Sequence, residues 1–143
     1  VESGMPDDLG IFWAEEANDG SGHSVIFEDD GRVAYVYLLD ELQNIVSDAW
    51  VYNHNQATVQ PEWGDKLKIP FANPSDFVRD DVQCPPVTDQ SELMIEWQIT
   101  TSKKPRVRLY IRDELFAVLE PGDKPGQSLL AAKNGPLARI LET

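Results

Sequence analysis

The chain has 143 residues, of which 41% are hydrophobic and 26% charged, a length and composition that suit one globular domain able to bury a core without disulfide staples. That composition argues against a wholly disordered chain in spite of a formal net charge of −13, and no apolar run approaches the roughly 20 residues of a membrane-spanning helix. The single cysteine, Cys84, rules out an internal disulfide and points to a reducing compartment.

Ile11-Phe12-Trp13-Ala14 is a short apolar run that predicts a first strand, and Glu16 to Gly22 is loop chemistry. His23 to Glu28 reads as a second strand. Asp29-Asp30-Gly31 follows, and Asp-Gly between apolar β-rich runs is a strong hairpin signal, with Val33 to Leu39 returning. A two-residue turn at Asp30-Gly31 sets Phe27 opposite Ala34 and Val25 opposite Val36. Val25, Phe27, Ala34, Val36 and Leu38 then share a core face. Ile26, Tyr35, Tyr37 and Leu39 take the other face, which is too apolar to lie bare and is expected to be covered or used for binding. Ile45 to Asn53 supplies another strand, with Trp50 and Tyr52 expected on one face.

Residues 54–92 carry five of the ten prolines and read as an ordered crossover. Lys66 to Phe71 is a candidate edge strand, and Asn73 to Val78 a candidate helical turn, with proline at the first helical position. Beyond it the period is two. Leu93, Ile95, Trp97 and Ile99 alternate with polar neighbours, as do Val107, Leu109 and Ile111. Leu115 to Leu119 predicts a further strand. Ser128 to Lys133 fits helix or strand, and Pro136 to Leu141 reads as a short terminal helix. The expected architecture is α+β, mainly antiparallel β: one domain over 1–143, with two meanders (1–53 and 93–143) packed as a sandwich or rolled sheet with one or two short helices.

The charge is unevenly placed. Residues 1–65 hold 14 acids against one base, Arg32, while residues 66–143 hold 11 of each. Such a field repels nucleic acid and anionic membranes and draws basic partners or cations. Glu28, Asp29, Asp30, Asp40 and Glu41 form the candidate partner-binding patch. Tyr35, Tyr37, Trp50 and Tyr52 are the aromatics that would line a ligand pocket. Lys103, Lys104, Arg106, Arg108 and Arg112 form a basic stripe, but the overall charge argues against nucleic acid, and Arg108 should pair across strands with Glu96 or Gln98. A contact between this stripe and the acidic half of a second copy would produce a homodimer.

No catalytic constellation emerges. His23 and His54 are far apart and match no metal spacing. Cys84 precedes Pro85-Pro86, and Asp80 and Asp81 disfavour a thiolate there. Asp7-Asp8, Glu15-Glu16 and Glu28-Asp29-Asp30 lack the spacing of a calcium loop, and no nucleotide-binding glycine loop occurs, so no cofactor is expected.

The runs Phe27-Glu-Asp-Asp-Gly-Arg-Val-Ala-Tyr-Val-Tyr-Leu-Leu, Asp48-Ala-Trp-Val-Tyr-Asn53 and Lys124-Pro-Gly with Asn134-Gly-Pro-Leu-Ala-Arg139 resemble segments of a family of small uncharacterised bacterial proteins. The resemblance implies a bacterial cytoplasmic protein and transfers no active site. The expected function is a non-enzymatic acidic interaction module, such as an immunity or antitoxin-like inhibitor of a basic protein. The alternative is a small-ligand or cation-binding protein, with carboxylate-based catalysis as one form of it.

Overall fold

The computed structural model describes residues 11–17, 22–54, 73–82, 84–99 and 105–141. Strands β1 (Ile11–Glu16), β2 (Ser24–Asp29), β3 (Val33–Leu39) and β4 (Ile45–Asn53) form a four-stranded antiparallel sheet in chain order. Strands β5 (Leu93–Ile99), β6 (Pro105–Ile111), β7 (Glu114–Leu119), β8 (Gln127–Ser128) and β9 (Arg139–Ile140) form a second sheet, also in chain order. Only the β8–β9 pair is parallel.

Helix is almost absent, which corrects the α+β expectation. Among the described residues it amounts to two single 3-10 turns, Ser75–Phe77 and Gln90–Glu92. The first falls within the candidate turn at Asn73 to Val78. The terminal helix expected over Pro136 to Leu141 is instead a turn leading into β9, where the Arg139 amide bonds the Gly126 carbonyl at 2.8 Å. The candidate edge strand at Lys66 to Phe71 lies outside the described residues.

The β2–β3 hairpin turns one residue later than expected. The Asp30 amide bonds the Val33 carbonyl, so Gly31 and Arg32 are the central pair. Gly31 has φ +90°, a left-handed value that a Cβ disfavours and that a hairpin turn of this length uses at its first central position. Val25 therefore faces Leu38, and Phe27 faces Val36. Moving a turn by one residue shifts the pairing by two, which preserves the parity of the faces. Val25, Phe27, Ala34, Val36 and Leu38 accordingly all lie buried on one face.

The β3–β4 pairing is irregular. Ala34 faces Tyr52 and Tyr35 faces Trp50, so Val51 is the extra residue of a β-bulge. The bulge puts Trp50 and Tyr52 on opposite faces, correcting the expectation that they share one. The β5–β6 pairing keeps its alternation throughout: Leu93, Ile95 and Trp97 face Ile111, Leu109 and Val107.

Buried residues of both sheets belong to one hydrophobic core, including Val25, Phe27, Val36 and Leu38 from the first and Val107, Leu109, Ile111 and Leu119 from the second. Burial of each such aliphatic or aromatic side chain contributes about 1.5–3 kcal/mol. Along β4 the sheets are joined by backbone. The Gly122 and Gly126 amides donate to the Val46 and Asp48 carbonyls at 2.7 and 2.6 Å, and the Trp50 amide donates to the Leu137 carbonyl at 2.9 Å. A Cβ on Gly126 would come within 2.7 Å of the Val118 carbonyl oxygen, so this close approach requires glycine. On the opposite side, Trp97 Nε1 of β5 donates to Glu15 Oε2 of β1 at 2.9 Å, and Ile11, Trp13 and Trp97 pack against the shared core.

Candidate functional site

Two groupings of polar side chains stand out: a buried carboxylate at one end of the strands, and an acidic outward face on the first sheet.

Asp29 ends β2 on the core face, two residues beyond Phe27 and four beyond Val25. Its side chain is 0% exposed. A buried carboxylate costs several kcal/mol unless donors surround it. Here Tyr52 Oη donates to Oδ2 at 2.5 Å, the Gly31 amide donates to Oδ1 at 2.9 Å, and His54 Nε2 lies 2.5 Å from Oδ1. Tyr52 reaches Asp29 because the residue between them across the sheet is Ala34, whose methyl group leaves the path clear. The Tyr52 hydroxyl also accepts the Val87 amide at 2.9 Å. Burial, and then the bond to Asp29, push the Tyr52 phenol far above its ordinary range. His54 sets its ring edge-on to Tyr52 at 5.9 Å, and its amide bonds the Arg32 carbonyl at 2.8 Å. One carboxylate thus ties together β2, the hairpin turn, the end of β4 and the segment entering β5.

A histidine beside a buried carboxylate is half of an acid–base arrangement, and the Cys84 thiol is held in its protonated, weakly nucleophilic form. Burial pushes the Cys84 thiol up to about 11, with the Arg112 guanidinium pulling in the opposite direction. The described residues contain no group of three or more His, Cys, Asp or Glu placed to hold a metal ion. The Asp29 cluster clasps β2, the hairpin turn, the end of β4 and the segment entering β5 together.

Asp29 is therefore no part of an exposed patch, a correction to its place among the five acids. The other four do not sit together. Glu28 and Asp30 lie at one end of β3, and Asp40 and Glu41 at the other, across a 7-residue strand of about 23 Å. Asp30 Oδ1 accepts the Arg32 and Val33 amides, and Asp40 Oδ1 accepts those of Leu42 and Asn44, so both shape turns. The four aromatics divide likewise: Trp50 and Tyr52 are fully buried, Tyr35 is nearly so, and Tyr37 is half-buried.

The outward face of the first sheet is built in two rows. One runs Phe12, Glu28, Tyr35, Trp50, and the next Ala14, Ile26, Tyr37, Asp48. Burial falls steadily across them, from Trp50 at 0% exposure to Phe12 at 66%. The Tyr35 and Tyr37 rings stack at 6.0 Å. The Tyr37 phenol is pushed up to about 12 by burial and then by the carboxylates of Glu28, Asp48 and Asp30. Among the described residues, no ion pair engages Glu28, Asp30, Asp40, Glu41 or Asp48.

The basic stripe on the second sheet is committed internally. Arg108 Nη1 bonds Gln98 at 2.8 Å and Glu96 at 3.2 Å, the cross-strand arrangement expected of it. Arg106 pairs with Glu120 at 2.7 Å and Arg112 with Glu92 at 2.8 Å. Lys103 and Lys104 lie outside the described residues.

Comparison of the chain with models of known families, with curated proteins and with solved structures found no match.

Sequence reasoning missed His54 and the burial of Asp29, although one signal was present. Continuing the alternation of Val25 and Phe27 places Asp29 inward, and an inward acid needs a buried donor, which Tyr52 supplies. It also missed the exposure of Phe12, Ala14 and Glu16 along β1. No helix of the described residues is long and apolar enough to cross a membrane.

Proposed function

We propose that this domain is a non-enzymatic acidic interaction module that engages a basic protein through the outward face of its first sheet. The supporting observation is the contrast in charge use. The arginines of the second sheet are paired with acids of their own sheet or its flanks, whereas Glu28, Asp30 and Asp48 gather around Tyr37 with no ion pair among the described residues, Lys124 acting on Asp48 only through its field. Beside them Phe12, exposed, and Ile26, half-buried, supply the apolar surface that a specific interface needs at its centre. The carboxylates would steer a basic partner and set its orientation. An inhibitor of a basic toxin or enzyme is a concrete form of this reading, and a reducing cytoplasm suits the lone thiol.

The test is a pull-down from lysate of the source organism, at low and moderate salt, with the wild type and the Glu28→Lys/Asp30→Lys variant as baits. Asp29 stays native, because reversing its charge would unclasp the fold. A basic protein retained by the wild type and lost from the variant is the expected result. Equal retention by both baits would remove the proposal.

A further inference from the structure

We propose that the basic partner docks as an extended segment, pairing along the outer edge of β1 as a fifth strand beside the four described ones. The inference rests on the interaction-module reading and adds the manner of binding.

Hydrogen-bonded pairs alternate with non-bonded pairs in an antiparallel ladder. The Ala17 amide donates to the His23 carbonyl at 2.9 Å, and this sets the phase of the β1–β2 ladder. Ile11, Trp13 and Glu15 turn their backbone groups toward β2. Phe12, Ala14 and Glu16 turn theirs away from it, and none of these three makes another hydrogen bond among the described residues. The same three side chains are exposed on the outward face. An edge of this kind is a template for a strand from another chain.

Two other long sheet edges fit less well, and β9 is only two residues long. The far edge of the first sheet is occupied, since β4 bonds Gly122, Gly126 and Leu137. The edge of β5 is backed by Arg108 and Arg106, whose ion pairs with Glu96 and Glu120 already engage the nearby carboxylates that could draw a basic strand. Charge also selects the occupant of β1. A second copy would bring another chain of net charge −13 and set glutamates near glutamates. A basic segment meets Glu16 on its own strand and Glu28 on the next. Its alternation follows from β1: side chains beside Phe12 and Ala14 would be apolar or the stem of an arginine, and the one beside Glu16 would be basic.

The probe is an acetylated hexapeptide of alternating lysine and valine, compared with the same peptide N-methylated at every second amide. Methylation leaves the charge intact and blocks strand pairing. Binding is read by fluorescence anisotropy, and the edge by amide hydrogen exchange at Phe12, Ala14 and Glu16. The plain peptide should slow exchange at these amides by about tenfold or more, and the methylated peptide should bind about tenfold more weakly. The Ala14→Pro variant removes only an outward-facing amide, so it should lose the plain peptide while its urea midpoint stays near that of the wild type. Equal binding of both peptides overturns edge docking and leaves the charge-based reading standing. Binding of the plain peptide that is indifferent to Glu28→Lys/Asp30→Lys overturns the charge-based reading instead. If neither peptide binds at low salt, both fall.

Discussion

In the second sheet Arg106, Arg108 and Arg112 each meet a carboxylate within 3.2 Å, and residues 66–143 sum to zero charge. In the first sheet the acids outnumber the bases, and the carboxylate bound most elaborately is the buried one, Asp29. The same side-chain chemistry thus serves two ends. Exposed ion pairs in the second sheet neutralise a solvated face at little gain in stability. In the first, one buried acid is held by three hydrogen-bonding partners, and the exposed or half-buried acids have no ion pair among the described residues. Charge count alone does not distinguish these roles; burial and partner geometry do.

The sharpest way to break the comparison is at Asp29. Asp29→Asn keeps the shape but sets an amide NH₂ against the donors of Tyr52, His54 or Gly31. It should lower unfolding stability by about 3 kcal/mol or more, read as a fall in the urea midpoint at unchanged slope. A loss below about 1 kcal/mol would mean that the clasp is dispensable.

The tyrosines give the next largest effect. Tyr37 is neutral in the fold and its phenol is raised to about 12 from 10.0, with Tyr52 raised in the same direction. Between those values the unfolded chain has released a proton that the native chain keeps. The stability is therefore fully present below about pH 10 and is lost as pH rises through about 12. Absorbance near 295 nm should show some of the four tyrosines titrating only as the protein unfolds, and Tyr37→Phe should remove one of them. Titration of all four together near pH 10 would contradict the burial of both phenols.

At the small end, Arg108→Ala breaks two exposed bonds of the second sheet and should cost less than about 1 kcal/mol by thermal unfolding. A larger loss would mean that the stripe stabilises the fold as well as neutralising it.

The legibility of the fold followed the regularity of its alternation. From Leu93 to Ile99 and again from Arg106 to Ile111 apolar residues recur at every second position, so faces and the pairing of Arg108 were readable. The Asp-Gly signal located the β2–β3 hairpin and its faces but not which two residues turn. The bulge at Val51 was hidden, because Ala49, Trp50, Val51 and Tyr52 are all apolar or aromatic and carry no phase. The candidate site was harder still. Glu28-Asp29-Asp30 reads as turn chemistry, and the partners that distinguish Asp29 from its neighbours, Tyr52 and His54, lie 23 and 25 residues away. The terminal helix failed because Pro136 to Leu141 is drawn into a sheet by long-range pairing that local propensity does not contain.

Gly126 has its amide bonded to Asp48 in the first sheet and its carbonyl bonded to Arg139 in the second. With Gly122 and Leu137 it makes that flank the spine of a book, while at the fore-edge between β1 and β5 the described residues show a side-chain bond, Trp97 to Glu15, beside the apolar packing of Ile11, Trp13 and Trp97. Those main-chain bonds and the proposed docking edge thus lie on opposite sides of the molecule, and a ligand seated along β1 would add backbone pairing on the side where, among the described residues, no main-chain bond joins the sheets.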